Sequence, residues 1–288
     1  MKIQDIFESY SSKMTQIHLY QRAMKNIAKK ELNELYQYEK SLEEHPDLKE
    51  LAFSHDNMFF LNAKDRTHIF FGSIKSSIED KQLVIVLHQN KQYQWLLAEA
   101  YEEFEDFLER IYAFVGFSDN NFWPLQDYGN ITLNELKEKP LVWFEEQAKK
   151  KNKPLSIVSK FRESFPEIAA LEIENGLKIN LRLTIVLIEQ LRHIIVHRGG
   201  TVSDKSEFIK KVLKKSGLYN NGKADEKYVS YINSYFGSPE FENTIVLLEI
   251  GFKTKIPLGM HVNVFSALSG YLMAYAHLVY EAVSNSHN

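Results

Sequence analysis

The stretch LRHIIVHRGG at residues 191–200 decides the fold, because it ends a long apolar segment of the chain at two consecutive glycines. Residues 183–196 are apolar on nearly all sides of a helix, whereas a helix on a protein surface has a single apolar stripe. This pattern predicts a helix buried on nearly all sides, at the centre of a helical bundle. Gly199 and Gly200 predict its end, since glycine readily takes the left-handed conformation that stops a helix.

An arginine and two histidines, Arg192, His193 and His197, are set into this apolar helix. A buried arginine or histidine loses hydration free energy unless it faces a groove or a partner. All three also lie near the carboxyl end of the helix, where the backbone carbonyls favour positive charge. We therefore expect the functional site at this end of the helix.

The rest of the sequence predicts a mainly α protein: a helical bundle with an N-terminal helical extension and room for one small β-hairpin. Apolar positions three or four apart predict helices over residues 1–52, 93–115, 141–151, 167–197, 205–216, 225–236 and 261–284. Pro46 interrupts the first of these, and a short second helix is expected from Asp47. The run TIVLLEIGFKTKIPLG (244–259) has β-branched residues on both sides of Gly251-Phe252-Lys253, which is typical of a hairpin that turns there. The short apolar runs MFFL and HIFF, within residues 56–90, fit strands and buried helices equally.

Composition narrows the class of protein and its location. The 288 residues are 44% hydrophobic, which excludes an intrinsically disordered chain. The sequence has no cysteine, which excludes disulfides, thiolate zinc sites and cysteine nucleophiles. The first residues contain Asp5 and Glu8 where a secretion signal needs an apolar run. Residues 256–280 carry no charge but are interrupted by polar residues, which is typical of a buried bundle helix rather than a membrane span. We expect a cytoplasmic protein that does not bind membranes.

Charge is distributed unevenly along the chain. The net charge of −3 predicts no general attraction to nucleic acid. Residues 192–227, however, contain nine lysines and arginines against four aspartates and glutamates, next to the expected site. This basic stretch fits either a phosphate-attracting surface or an ordinary solvated helix face. Residues 99–110 contain five glutamates and one aspartate against one arginine, and we expect them to form a solvated helix face.

The polar residues of the central helix permit three interpretations. Glu189, His193 and His197 follow one another at intervals of four and share a helix face. In a structural interpretation, Glu189 pairs with Arg192 or His193, Arg192 ties the helix to a neighbour, and His197 caps the helix end. In a metal interpretation, Glu189, His193 and His197 are ligands of Zn²⁺, although no HExxH pattern is present. In a catalytic interpretation, Arg192 and His197 act together in the pattern Arg-x4-His.

Two segments together resemble the HEPN superfamily of helical-bundle ribonucleases. The first is the acidic and aromatic helix YEEFEDFLERIY (101–112), and the second is the buried helix that ends in RHIIVH. The signature of that superfamily is an arginine, then four to six residues, then a histidine, with a polar residue commonly after the arginine. Arg192, His193 and His197 match this signature with four intervening residues. His193 stands where asparagine is often found.

The resemblance covers residues 81–288 and implies one HEPN-like helical domain, preceded by residues 1–80 as an extension of unassigned role. It implies metal-independent cleavage of single-stranded RNA, without a cofactor. The 2′-hydroxyl attacks phosphorus and leaves a 2′,3′-cyclic phosphate and a 5′-hydroxyl end. Many proteins of this superfamily are toxins, antiphage defence effectors or RNA-processing enzymes, and others have lost the active residues. The rival expectation is therefore a catalytically silent helical protein that binds RNA or acts as an adaptor.

The resemblance also implies roles for named side chains. His197 would act as general base or acid, and Arg192 would stabilise charge on the phosphate. His193 would orient the His197 ring or bind the scissile phosphate, and Glu189 would support an imidazole. The RNA backbone would be contacted by six basic residues: Arg198, Lys205, Lys210, Lys211, Lys214 and Lys215. The expected partners are RNA and a second copy of the chain, with the motif helices facing each other, and a regulatory or antitoxin protein could be a further partner.

Overall fold

The computed structural model describes residues 2–45, 53–129, 131–150, 154–220, 223–237, 241–252 and 260–287. The short helix expected from Asp47 lies outside these residues. This part of the chain is mainly helical with short antiparallel two-stranded sheets, which confirms the predicted fold class. The helices are α1 (Ile3–Glu43), α2 (Ile78–Ser118), α3 (Leu133–Lys137), α4 (Leu141–Lys150), α5 (Pro154–Ser164), α6 (Pro166–Leu171), α7 (Leu181–Arg198), α8 (Lys205–Lys215), α9 (Glu226–Asn233) and α10 (Val264–His287). The strands are β1 (Ser54–Leu61), β2 (His68–Ser76), β3 (Tyr219–Asn220), β4 (Lys223–Ala224), β5 (Glu249–Phe252) and β6 (Met260–Asn263).

The chain divides into two compact units. One consists of Met1–Leu19 and Tyr93–Asn288, and the other of Tyr20–Gln92. The divisions fall within α1 and α2, each of which has 41 residues. The domain boundary predicted between residues 80 and 81 lies inside α2, within the second unit.

The second unit contains a β-hairpin with exposed apolar side chains on both faces. β1 and β2 pair in antiparallel register, with one irregularity between Met58 and Phe59. Phe59 contacts Phe70 on one face, and Phe60 contacts Phe71 on the other. Each of these four rings is at least 50% exposed. The runs MFFL and HIFF are therefore strands, and their apolar surface is unusually open for a two-stranded sheet in water.

The predicted central helix is α7, and it is largely buried within the first unit. Eleven of the 18 residues of α7 are buried, and the helix packs against α8 and α10. Asn180 begins it as the N-cap, since its side-chain oxygen accepts a hydrogen bond from the Leu183 amide at 2.8 Å. The all-round apolar pattern of residues 183–196 thus corresponds to a helix surrounded by its neighbours.

The long helix predicted over residues 167–197 is wrong in its first half. α6 ends at Leu171 and α7 begins at Leu181, and a loop separates them. Within the loop, Asn175 Nδ2 donates to the carbonyls of Leu171 (2.9 Å) and Ile179 (2.8 Å). Asparagine side chains of this kind compete with the helix for backbone groups, which explains why the helix stops although the segment is rich in helix-forming residues.

A buried charged network fixes the same loop to the bundle. The side chain of Glu172 is 1% exposed, and both of its oxygens are bound by Arg162 of α5 at 2.6 Å. Tyr275 of α10 donates its hydroxyl hydrogen to Glu172 Oε1, also at 2.6 Å. One carboxylate therefore joins α5, the loop before α7 and α10.

A C-terminal hairpin is present, but two of the three residues expected in its turn, Gly251 and Phe252, lie in its first strand. β5 and β6 are antiparallel, with Glu249 opposite Asn263. Gly251, which was expected in the turn, lies within β5 opposite His261. Lys253, the last residue of the predicted turn, lies outside the described residues. Glycine marks both turns and strand irregularities, so its presence alone does not identify a turn.

Most of the uncharged segment at 256–280 belongs to α10. Its inward side chains are buried, among them Phe265, Leu272 and Val279. Among the residues that the structure describes, no helix has the length and apolarity needed to cross a membrane.

Candidate functional site

Two glycines end α7 in the left-handed conformation. Gly199 has a φ of 64° and Gly200 a φ of 85°. The Gly200 amide donates to the carbonyl of Ile194, the bond expected where a helix stops at a left-handed residue. A β-carbon at Gly200 would collide with the side chain of Gln94 in α2, and Gln94 Nε2 in turn donates to the carbonyl of Ile245. The motif helix therefore ends at a fixed position against α2.

His193 and His197 lie side by side on the surface of α7. Their ring centroids are 4.7 Å apart, and the ring planes are inclined by 54°. Both side chains are exposed. Residues four apart on a helix project from the same face, so α7 itself holds the two rings in contact.

A small cavity of about 130 Å³ opens beside His193, between α7 and α8. Arg198 and Lys211 line it with positive charge, and Asp204 and Glu207 line it with negative charge. Asp204 is the N-cap of α8, because its Oδ1 accepts from the Glu207 amide at 2.9 Å. The imidazole pair therefore borders a groove that carries both cations and carboxylates.

The environment of His193 lowers its pKa below 6.5, the ordinary value for histidine. Partial burial is the largest cause, and electrostatic interactions with His197 and Lys211 follow. Arg192 and Arg198 add smaller effects in the same direction. The ring is therefore mostly neutral at neutral pH, with a nitrogen lone pair that can accept a proton.

Arg192 contacts the acidic side of α2. Its Nη2 donates to Glu102 Oε1 at 3.2 Å and lies 3.9 Å from Glu105 Oε2. The Arg192 side chain is 27% exposed. Within the described ranges, no hydrogen bond joins Arg192 to His197. Arg192 thus contacts α2, whereas His197 contacts the ring of His193. The contact between Arg192 and a neighbouring helix is the one that the structural interpretation expects.

Glu105 is a titrating group that the sequence interpretation missed. Burial raises its pKa to about 7, although the charge of Arg192 opposes the shift and three neighbouring glutamates add to it. A carboxyl group with this pKa exchanges a proton near neutral pH, as acid–base catalysts do. The expectation that residues 99–110 form only a solvated face is therefore wrong at Glu105. The three-residue spacing of Glu102 and Glu105 was a signal, but it does not reveal which helix they face.

Among the described residues Glu189 is bound by Lys215 and Gln190, so the expectation that it pairs with Arg192 or His193 is wrong. Its Oε2 lies 3.5 Å from Lys215 Nζ and accepts from Gln190 Nε2 at 2.8 Å. The metal interpretation requires Glu189 to converge with His193 and His197. In the part of the chain that the structure describes, no group of three or more His, Cys, Asp or Glu side chains is placed to hold a metal ion.

The six predicted RNA-contacting residues fall into three sets. The cavity beside His193 is lined by Arg198 and Lys211. Aromatic rings lie near Lys205, Lys210 and Lys214. Lys215 pairs with Glu189. The structure therefore brings only two of the six to the cavity beside the imidazole pair.

Comparisons with models of known protein families, with curated proteins and with solved structures find no match.

Proposed function

We propose that this protein is a metal-independent endoribonuclease that cleaves single-stranded RNA. The pair of exposed imidazoles, His193 and His197 with centroids 4.7 Å apart, carries the proposal. Transfer of phosphorus from a 5′-oxygen to a 2′-oxygen needs one group that accepts a proton and another that donates one. Two adjacent imidazoles supply both near neutral pH. The resemblance to the HEPN ribonucleases points to the same reaction.

In the proposed reaction His193 is the general base, because its lowered pKa keeps the ring neutral. It takes the proton of the 2′-hydroxyl, and the 2′-oxygen forms a bond to phosphorus. The bond between phosphorus and the 5′-oxygen breaks, and protonated His197 donates a proton to that oxygen. The products are a 2′,3′-cyclic phosphate and a 5′-hydroxyl end. His193 thus takes part in proton transfer itself, whereas the resemblance implied that it orients the His197 ring or binds the scissile phosphate.

Positive charge beside His193 would stabilise the phosphate during this step. Arg198 and Lys211 line the same cavity, and a cation placed where charge develops lowers the free energy of the transition state. Arg192 was expected in this role, but its guanidinium is bound to Glu102. We therefore assign Arg192 a positioning role, in which it holds α7 against α2 and adds positive charge near His193.

The first test is incubation of labelled single-stranded RNA with the protein in EDTA, where we expect cleavage because no step uses a metal. Arg198 and Arg192 form a matched pair of arginines on one helix. Arg198→Ala is expected to lower kcat by about 10²–10³-fold through loss of a phosphate contact. Arg192→Ala is expected to lower it less and to raise the pKa seen in the pH–rate profile.

Two results would contradict this assignment. A larger loss of kcat in Arg192→Ala than in Arg198→Ala would return the phosphate contact to Arg192. Cleavage that is absent in EDTA and restored by Zn²⁺ would replace the metal-independent mechanism by the metal interpretation.

The proposal includes a homodimer with facing motif helices, as the resemblance implies. The cavity beside His193 holds about 130 Å³, whereas typical ligand pockets hold about 300–1,000 Å³. A second subunit over the exposed His193 and His197 would deepen this groove into a cleft for a sugar-phosphate strand. Sedimentation at micromolar concentration is expected to show a dimer, and a monomer alone would contradict this part. We propose toxin or antiphage defence activity as its biological role.

One observation favours a second candidate, a catalytically silent helical protein that binds RNA or acts as an adaptor. Arg192, the arginine of the motif, forms an ion pair with Glu102, as an arginine with a purely structural role would. This candidate predicts RNA binding or partner binding without cleavage. The EDTA assay separates the two, since only the nuclease shortens the RNA.

The pH dependence of cleavage provides a further prediction. A general base acts only when it is deprotonated, so the rate should rise with pH until His193 has lost its proton. Because the pKa of His193 is lowered, the midpoint of this rise is expected below 6.5. Lys211→Met removes one of the charges that lower this pKa and should move the midpoint to higher pH. A midpoint above 6.5, or one that Lys211→Met leaves unchanged, would argue against His193 as the base.

A further inference from the structure

Tyr219 lies next to two lysines of α8. Gly217, with a φ of 77°, reverses the chain after α8, and the Leu218 amide donates to the carbonyl of Leu213 at 2.9 Å. The half-buried ring of Tyr219 then returns along the helix. Lys210 Nζ lies 5.7 Å and Lys214 Nζ 5.6 Å from its centroid. Two ammonium groups one helical turn apart thus flank one aromatic ring.

The same ring lines a cavity of about 520 Å³ between α8 and α9. Ile209 and Leu213, both buried side chains of α8, form its apolar floor. Ser206 and Asn233 add hydrogen-bonding groups. None of the described residues that line this cavity is acidic, so the charges of its lysines are not opposed there.

We propose that this cavity binds one nucleobase of single-stranded RNA, stacked on Tyr219, with the flanking phosphates at Lys210 and Lys214. An aromatic ring, an apolar floor and nearby ammonium groups are the elements with which proteins bind unpaired bases and their backbone. Stacking accepts any base, so Ser206 and Asn233 would add only a modest base preference. This inference rests on the proposed function, since it gives the substrate of the imidazole pair a second contact.

The position of the cavity on α8 connects it with the imidazole pair. Lys210 lines the cavity of Tyr219, and its neighbour Lys211 lines the cavity of His193. A strand that crosses α8 would therefore place one phosphate near each lysine. The base at Tyr219 would belong to a nucleotide beside the one that is cut, so Tyr219 would contribute to binding of the substrate and not to proton transfer.

The test measures binding of a short fluorescein-labelled single-stranded RNA to the His197→Ala protein, which should leave the RNA intact. Tyr219→Ala in this background is expected to raise Kd about 5- to 150-fold, the effect of about 1–3 kcal/mol for one stacked base. Tyr219→Phe should retain the affinity, because it keeps the ring. The matched control is Tyr228→Ala, which removes another tyrosine with a lysine nearby (Lys227 Nζ at 5.8 Å) but lines a different cavity.

RNA with one abasic position provides the sharper measurement. A series of RNAs carries the abasic nucleotide at successive positions. At one of these positions it should weaken binding to the protein that retains Tyr219, and it should not weaken binding to Tyr219→Ala. Equal loss in both proteins, Kd unchanged in Tyr219→Ala, or no binding of RNA would overturn the inference. If the wild-type protein cleaves RNA but Tyr219→Ala does not weaken RNA binding, the base site is wrong and the proposed nuclease stands. If RNA binding depends on Tyr219 but the wild-type protein never cleaves RNA, the base site stands and the proposed nuclease is wrong.

Discussion

Replacing His197 with alanine is expected to lower the rate of RNA cleavage by about 10²–10⁴-fold, the usual contribution of a general acid or base. The residual activity should no longer depend on a proton donor at the leaving 5′-oxygen. His193→Ala is expected to cause a loss of similar size, because it removes the group that activates the 2′-hydroxyl. The double variant should be little worse than either single one, since the two imidazoles act in one step.

The control for this series is His277→Ala. His277 is also an exposed helical histidine with a neighbour four residues away, Glu281, at 3.4 Å. It lies on α10, away from the motif helix in the sequence, and its loss should leave cleavage unchanged. Thermal unfolding of each variant should match that of the wild-type protein, because His193 and His197 are exposed. Full activity of His197→Ala in a folded protein would contradict the proposed mechanism.

Replacing Arg162 with methionine is expected to lower the free energy of unfolding by about 3–5 kcal/mol, the cost of leaving one member of a buried ion pair without its partner. Glu172 is 1% exposed and is bound at both oxygens by Arg162. Tyr275 would remain as a hydrogen-bond donor to Glu172, but it carries no compensating charge. Urea unfolding followed by circular dichroism measures the difference.

An exposed ion pair provides the matched control for this variant. Lys30 and Glu34 lie 3.8 Å apart, and their side chains are 77% and 65% exposed. Lys30→Met should change the free energy of unfolding by no more than about 0.5 kcal/mol, as is usual for exposed helical pairs. Similar effects of Arg162→Met and Lys30→Met would show that Glu172 is hydrated, and the loop before α7 would then lack the proposed anchor.

Local patterns in the sequence predicted the parts of the site that belong to one helix. The all-round apolar pattern predicted the burial of α7, and Gly199 and Gly200 predicted its end. The four-residue spacing of His193 and His197 predicted that they share a face, because helix geometry fixes this relation regardless of the tertiary fold.

Contacts between distant segments could not be predicted in the same way. Arg192 and Glu102 are 90 positions apart, and nothing in either segment names the other. The pKa of Glu105 depends on burial, which arises only when α2 and α7 pack. The network at Glu172 likewise joins residues 10 and 103 positions away. Side-chain hydrogen bonds of Asn175 interrupted a helix that propensity alone would continue.

A comparison of two substrates in EDTA tests whether the imidazole pair on α7 cleaves RNA through the 2′-hydroxyl. One is a single-stranded RNA, and the other is the same RNA with 2′-deoxyribose at the nucleotide before the cut. The RNA should yield a 2′,3′-cyclic phosphate and a 5′-hydroxyl end, and the deoxy position should resist cleavage completely. Cleavage at the deoxy position, or a product with a 5′-phosphate, would contradict attack by the 2′-hydroxyl and with it the roles of His193 and His197.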